Sequence, residues 1–143
     1  MLVMTSCSSD RFMSAGVVGK ERCEELLEYL GNDDAEGLKS MFCNEIASSD
    51  NLDRQILDVM DFFEGKVISS HPIVSSERSV RDGKTILKIS SHIEEIVTDS
   101  GKTYDIMFYS HLTNSYDEDK VGISKLYIKS DDGEDCTVGV LIH

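Results

Sequence analysis

A long alternation of polar and apolar residues, from Lys84 to Ser115, restricts the possible folds of this chain more than any other feature. Its middle, Asp99 to Lys102, is a turn sequence, and a loop at this position places Thr98 opposite Thr103. Successive side chains of a strand point to opposite faces, so this register collects an apolar set on one face and a polar set on the other. The alternation therefore predicts a long antiparallel β-hairpin with one face that must be covered.

The apolar face of this hairpin contains the candidate site. In the predicted register Ser91 lies directly opposite Ser110, which makes a small polar notch among hydrophobic side chains. Glu95 follows on the same face, and a carboxylate in such a pocket is suited to general-base catalysis. The alternative is that Glu95 faces water at the loop end of the hairpin and that the serines only fill space. The predicted pocket consists of Ser91, Ile93, Glu95, Tyr104, Phe108 and Ser110.

Two other groups of residues resemble metal sites only weakly. His92 and His111 lie diagonally on the polar face of the hairpin, but they lack a third ligand at an obvious spacing and match solvated surface residues better. The acidic residues of segment 131–135 surround Gly133, but they lack the spacing of a calcium loop and match the tip of a hairpin better. We therefore predict no metal site, and no motif predicts a cofactor.

Three amphipathic helices are predicted before the hairpin. The first spans residues 16–31, the second is capped by Asn32 or Asp33, and the third spans residues 51–65. Each repeats apolar residues at helical spacing, so each is expected to bury one face. The three apolar stripes are Cys23, Leu26, Leu27 and Leu30; Leu38, Met41, Phe42 and Ile46; and Leu52, Ile56, Val59, Met60 and Phe63.

Further strands are predicted on both sides of the hairpin. Residues 66–74 form the first, and Pro72 within it belongs at an edge or a bulge because proline cannot donate to a ladder. A polar connection with a turn at Asp82-Gly83 leads to the hairpin, and strands 121–130 and 136–142 follow it. Helices followed by an antiparallel meander predict an α+β fold, with three N-terminal helices packed on one face of the sheet.

The N-terminal residues are similar to the end of a bacterial lipoprotein signal. The segment 4–6, Met-Thr-Ser, precedes Cys7 as the small residues of a lipobox precede the cysteine that is lipidated. The alternative is a polar N-terminus with an incidental cysteine. We divide the chain into a signal-like segment and linker, residues 1–15, and a single α+β domain, residues 16–143.

The charge of the chain limits its partners. Asp and Glu number 27 against 14 Lys and Arg, a formal net charge of −13, and such a surface repels the phosphate backbones of nucleic acids. Nucleic acid is therefore not an expected partner. No apolar run approaches the roughly 20 residues of a membrane span, so membrane contact is expected only through a lipid anchor. Cys23 and Cys43 lie on helix stripes and are expected to be buried thiols or, alternatively, a disulfide.

Four short motifs are distinctive when taken together. They are Asp33-Asp34-Ala35-Glu36-Gly37-Leu38-Lys39 with Met41-Phe42; Gln55-Ile56 with Phe62-Phe63-Glu64-Gly65-Lys66-Val67; Thr98 to Gly101 with Tyr104-Asp105-Ile106; and Val121-Gly122-Ile123. From Val17 to about Lys129 the chain resembles a bacterial family of cystatin-like-fold lipoproteins of unknown function, whose fold is similar to that of nuclear-transport-factor-like proteins. The resemblance implies helices behind a curved antiparallel sheet with a cone-shaped pocket, and it implies lipidation at Cys7.

These observations support one leading hypothesis and two alternatives. The leading hypothesis is an extracytoplasmic, membrane-anchored lipoprotein domain that binds a small molecule, peptide or protein without catalysis. The first alternative is a small isomerase or dehydratase that uses Glu95 as its base. The second is an acidic inhibitor or immunity-type protein that binds a basic partner through the acidic segments 117–119 or 131–135. The ligand and the oligomeric state are left open, and a cytoplasmic location is the alternative.

Overall fold

The helices come before the strands, as the sequence predicts. The computed structural model describes residues 14–142, in which α1 (Ala15–Gly31), α2 (Ala35–Ser40), α3 (Asn44–Ala47) and α4 (Leu52–Phe62) precede the sheet. The strands are β1 (Val67–Arg81), β2 (Lys84–Thr98), β3 (Thr103–Asn114), β4 (Gly122–Ser130) and β5 (Asp135–Gly139). They form one open antiparallel sheet in the order β1-β2-β3-β4-β5. The fold is therefore α+β with a meander sheet, which confirms the predicted class.

Local sequence determines where α1 begins and which face it buries. The Ser14 hydroxyl accepts a hydrogen bond from the Val17 backbone N–H at 3.2 Å, which satisfies one of the free donors of the first turn. The predicted apolar stripe is buried, and the helix lies against β1 and β2. Cys23 on this stripe and Cys43 after α2 are free, buried thiols. The thiol alternative therefore holds for this pair.

The second predicted helix is divided into two short helices, so residues 14–142 contain four helices, of which only α1 and α4 are long. The break lies at 41–43, where the backbone runs beside β4. The Cys43 N–H donates to the Ile123 carbonyl at 2.9 Å, and the Ile123 N–H donates to the Met41 carbonyl at 2.8 Å. The pairing of β5 with β4 ends at Lys125. Segment 41–43 therefore supplies the hydrogen bonds that β5 does not reach.

The first strand, β1, is longer than predicted. It continues through residues 75–81, where we expected a polar connection, and reaches the predicted turn at Asp82-Gly83. Both turn residues have positive φ, 53° and 75°, as a two-residue hairpin turn of this kind requires. Pro72 lies in β1, which pairs only with β2. The prediction that this proline belongs to an edge is therefore confirmed.

The register of the hairpin β2–β3 differs from the predicted one. The loop lies where the sequence predicts it, between Thr98 and Thr103. Ser91, however, pairs with Phe108 rather than with Ser110, so the predicted pairing of the two serines is wrong. Beside the loop Val97, not Thr98, pairs with Thr103, so the predicted Thr98–Thr103 pair is also wrong and the register is already displaced by one residue. The ladder is then irregular within residues 93–96, and this irregularity shifts the pairs beyond it, including that of Ser91, by one residue more.

A bulge at Glu95 is the physical reason for this shift. Glu95 has a φ of 49°, and its backbone N–H donates to the Asp105 carboxylate at 3.0 Å. A bulge inserts one residue into one strand only, so the side chains on either side of it exchange faces. Ile96 and Thr98 are therefore buried, whereas Glu95 and Val97 are exposed, the reverse of the predicted pattern.

The core lies between the helices and one face of the sheet, which we call the inner face. Ile93, Ile106 and Phe108 lie on the inner face and are fully buried. The alternate residues of the same strands, such as Lys88 and Tyr109, lie on the opposite side, which we call the outer face. The two faces of strand β3 therefore lead to different surroundings, and each borders a cavity.

Candidate functional site

A cavity lies between the helices and the inner face, and we call it the inner cavity. Its volume is about 230 Å³. Met41 and Phe42, which follow α2, and Phe108 and Leu112 of β3 form an apolar lining. Ser110 of β3 is a buried polar residue of the same wall. Ser40 and His111 also line the cavity, so it combines an apolar wall with several polar groups, as small-molecule sites commonly do.

Charged side chains of α1 lie at the opening of the inner cavity. Arg22 Nη1 lies 2.9 Å from Glu25 Oε2, and the Tyr29 hydroxyl donates to Glu25 Oε1 at 3.2 Å. Burial, and secondly the Glu25 carboxylate, raise the pKa of Tyr29, so this phenol remains a donor. Arg22 is half-exposed, and such surface pairs contribute little to stability. Their chemical role is to place two opposite charges at the entrance.

Gly122 allows the wall of the inner cavity to close. Its φ is 122°, a conformation that side chains rarely adopt, and a Cβ at this position would lie 2.8 Å from the Cys43 backbone nitrogen. The same Cβ would lie 3.0 Å from the Met41 carbonyl oxygen. Only glycine therefore permits segment 41–43 to approach β4 closely enough for the two hydrogen bonds that join them.

The predicted pocket residues separate into two groups. Phe108 and Ser110 line the inner cavity. Ile93 is fully buried in the core, and Ser91 is buried beside Cys23, away from the cavity. Burial raises the pKa of Cys23 to about 11, so this thiol stays protonated at neutral pH and is not a nucleophile. The polar notch predicted from Ser91 and Ser110 is therefore not formed.

Tyr104 stabilises the fold rather than the inner cavity. Its hydroxyl donates to the Phe62 carbonyl at 3.2 Å and accepts from the Glu64 N–H at 3.0 Å. Its ring lies 4.6 Å from that of Phe63, centroid to centroid. These contacts join the end of α4 to the start of β3, and they account for both ends of the side chain.

Glu95 lies outside the inner cavity. Because of the bulge its side chain is 78% exposed, and the imidazole of His71 lies beside it, with His71 Nε2 at 4.0 Å from Glu95 Oε2. A general base must reach the reacting proton within a sheltered site. The structure therefore places Glu95 where the alternative expectation had it, in water near the loop end of the hairpin.

The weak metal candidates are not brought together as ligand sets. His92 Nδ1 lies 3.6 Å from Glu94 Oε1. His111 lies opposite Lys88 in the strand register and is buried. Within residues 14–142 no group of three or more His, Cys, Asp or Glu side chains is arranged to hold a metal ion. In the 131–135 turn, hydrogen bonds from the Ser130 hydroxyl and the Glu134 N–H lower the pKa of Asp132. The Asp132 carboxylate therefore accepts hydrogen bonds that stabilise the turn.

The acidic segment 117–119 forms a single short helical turn. The Asp117 carboxylate accepts from the Asp119 N–H at 3.0 Å, and the Asn44 amide nitrogen lies 3.3 Å from Asp119 Oδ1. The charges of Glu118 and Asp119 are exposed. The segment is therefore an acidic surface held against α3.

Several residues of the inner cavity were missed from the sequence. Arg22, Glu25, Ser40 and Gly122 lie on three elements, α1, α2 and β4, that only the fold brings together. Arg22 and Glu25 are three residues apart on one helix, which signals a shared face but not what that face borders. The glycine between two β-branched residues at 121–123 was the single local signal, since an interrupted strand often marks a close backbone approach.

The predicted lipidation site, Cys7, lies outside the described residues. No helix within residues 14–142 combines the length and the apolar character needed to cross a membrane. The lipid anchor at Cys7 therefore stays a prediction for the N-terminal segment.

Comparison with known proteins assigns the chain to a family. No curated protein matches the sequence. A family of domains of unknown function, DUF5104, matches residues 25–133. The match begins on α1 at Glu25 and ends in the turn after β4, so it includes every residue that lines the inner cavity except Arg22 and covers well over half of the chain. The chain therefore belongs to this family, the domain of unknown function DUF5104.

Proposed function

We propose that this domain is a non-enzymatic binding module that holds a small molecule, or one end of a peptide, in the inner cavity. The observation that carries the proposal is a cavity of about 230 Å³ that has an apolar wall, the Arg22–Glu25 pair and the buried Ser110 in its lining. Drug-sized sites measure roughly 300–1,000 Å³, so the occupant is smaller than a typical cofactor. Its apolar part contacts Phe42 and Phe108, and its polar end reaches the charged pair.

We also propose that the fold is of the cystatin-like, nuclear-transport-factor-like type. Helices on one face of an antiparallel sheet, with a cavity between α1 and β3, support placing the domain among cystatin-like, nuclear-transport-factor-like folds. In that architecture the cavity is the interior of a cone. A likeness of fold does not determine function, so the binding role rests on the cavity itself.

The inner-cavity proposal is tested with matched tryptophan variants. Ser40 and Ser48 each follow a helical turn, and each hydroxyl donates to the carbonyl three residues before it, but only Ser40 lines the cavity. A library of fragments of about ten non-hydrogen atoms is screened by the ¹³C NMR shift of the Met41 methyl group. Binding that survives in Ser48→Trp and is lost in Ser40→Trp supports the proposal. A library that leaves the Met41 signal unmoved overturns it.

We also propose that the domain is displayed outside the cytoplasm on a lipid attached to Cys7. The lipobox-like residues before Cys7 support this location. The test is mass spectrometry of the Cys7 peptide after expression of the natural gene in a bacterial host. A diacylglyceryl mass supports the anchor, whereas an unmodified Cys7 in a chain that retains Met1 overturns it.

A further inference from the structure

A second cavity lies on the outer face, on the other side of β3 from the inner cavity, and we call it the outer cavity. Its volume is about 200 Å³, and residues of β1, β2, β3 and β4 line it together with Leu141 and Ile142. Ser110 and His111 line both cavities. The register aligns Glu77 with Lys88, and Lys88 with His111. A carboxylate, an ammonium group and an imidazole therefore lie in one row across three strands.

The orientation of the Asn114 side chain determines which ring nitrogen of His111 carries the proton. Asn114 Oδ1 accepts from the backbone N–H groups of Tyr116 and Asp117, at 3.1 and 3.0 Å. These two donors assign the oxygen, so the amide nitrogen is the atom that faces His111 Nδ1 at 3.1 Å. Nδ1 must then accept a hydrogen bond. The neutral ring consequently carries its proton on Nε2.

The His111 Nε2–H group has no hydrogen-bond partner among the described residues, although His111 is only 4% exposed. Burial, together with the charges of Lys88 and Lys120, lowers the pKa of His111, so the ring is neutral at pH 7. A weak hydrogen-bonding contact with the Ile142 backbone acts in the opposite direction, although its geometry falls short of a full hydrogen bond. Because Nδ1 faces Asn114 and Ile142 lines the outer cavity, this contact places Nε2 on the side of the outer cavity.

Lys88 is the second donor that borders this cavity. It is half-buried and forms no ion pair within residues 14–142. The hydroxyl groups of Ser75, Ser90 and Tyr109 also line the cavity. Glu77 is the one carboxylate in the lining, and it is exposed. The hydroxyl groups can donate or accept, whereas His111 Nε2–H and the Lys88 ammonium group can only donate, and a buried donor without a partner is unfavourable.

We propose that the outer cavity is a binding site for a small monocarboxylate. One carboxylate oxygen accepts from His111 Nε2–H, and the group pairs with the Lys88 ammonium. The short apolar part of the ligand contacts Leu141 and Ile142. A single negative charge is favoured over two because Glu77 repels a second one.

The experiment compares isobutyrate with isobutyramide, which has the same shape and no charge. Binding is followed by the ¹⁵N shifts of the histidine rings at an ionic strength of about 0.15 M. We expect isobutyrate to move the His111 Nε2 signal and isobutyramide to bind on the order of tenfold more weakly. Lys88→Gln should weaken isobutyrate binding by a similar factor. Lys125→Gln is the matched control, since Lys125 is also half-buried on the outer face but does not line the cavity.

Three results would overturn the proposal. The first is a ring spectrum in which neutral His111 carries its proton on Nδ1. The second is equal binding of isobutyrate and isobutyramide, and the third is an equal loss of affinity in Lys88→Gln and Lys125→Gln. The Met41 methyl group reports on the inner cavity in the same titration. Because His111 lines both cavities, a shift of His111 with Met41 unmoved supports the outer site, whereas shifts of Met41 without shifts of His111 support the inner site and overturn the outer one.

Discussion

Strand β3 separates two cavities that are built differently. The inner cavity has walls joined by backbone hydrogen bonds, with Gly122 letting segment 41–43 lie against β4. The outer cavity is covered by Leu141 and Ile142, which follow β5 and belong to no strand, and Leu141 is 46% exposed. The walls of the inner cavity are therefore joined by backbone hydrogen bonds, whereas the residues that cover the outer cavity pair with no strand.

Because of this difference, substitutions at neighbouring residues of β3 are expected to affect different properties of the protein. Phe108 is fully buried against the helices, and Tyr109 next to it is half-buried on the outer face. Packing density determines the effect of a substitution on the inner side, and hydrogen-bond donors and charge determine it on the outer side. Substitutions on each side test whether the two faces differ in this way.

The largest expected effect is that of Phe108→Ala. Phe108 is 0% exposed, so its truncation leaves a hole in the core and should lower the free energy of unfolding by about 3–5 kcal/mol. Tyr109→Ala, on the other face, should cost about 1 kcal/mol. Urea denaturation of both variants measures the difference. Equal losses would show that the two faces of β3 are not energetically distinct.

The next largest effect is expected at Gly122. Gly122→Ala forces a Cβ against the Cys43 backbone at a φ of 122°, and we expect a loss of roughly 2–4 kcal/mol. Gly101→Ala is the control because Gly101 also has a positive φ, 87°, but its Cβ would meet nothing within 4 Å. It should cost about 1 kcal/mol. A cost at Gly122 no greater than that at Gly101 would show that segment 41–43 is not held tightly.

A smaller effect, dependent on pH, is expected from His111. Its pKa is lowered from the ordinary value of 6.5 by burial first and by Lys88 second, so the unfolded chain binds a proton there more readily than the folded chain. The contribution of His111 to stability is therefore complete above that value and is lost as the pH falls below it. Urea denaturation between about pH 7.5 and about pH 5.5 should show a steeper decline in the natural protein than in His111→Gln. The control His92→Gln should retain the steep decline.

The smallest effect is expected from Glu95→Gln. The Glu95 side chain is 78% exposed and its contact with the His71 imidazole is as long as 4.0 Å, so the change in stability should stay within about 0.5 kcal/mol. Fragment binding in the inner cavity, followed at the Met41 methyl group, should be unchanged. Loss of that binding in Glu95→Gln would return this carboxylate to the site and revive the enzyme alternative.

The local parts of the fold were predictable because their causes lie within a few residues. The turn at Asp82-Gly83, the loop at 99–102 and the N-terminal helix 16–31 all match the structure to within a residue. Turn residues with positive φ and apolar repeats at helical spacing act on their own segment. The alternation in β3 also predicted two residues of the inner cavity, Phe108 and Ser110.

The rest of the site was not predictable, and the bulge at Glu95 shows why. No glycine marks this position, and the bulge depends on a hydrogen bond to Asp105 on the neighbouring strand. It removed Glu95 and Ser91 from the predicted pocket. Likewise α2 is followed by a break because Ile123, far away in the chain, accepts and donates the backbone bonds of segment 41–43.

By itself, then, the sequence determined the order of the elements, the α+β class, the edge position of Pro72 and the apolar stripes that face the core. The tertiary structure alone decided the register of β2 on β3, the closure of the inner cavity at Gly122 and the environment of His111. The physical reason is the distance along the chain between the groups that interact. Propensities and patterns act along the chain, whereas cavities arise where backbone groups from distant segments must satisfy one another's hydrogen bonds.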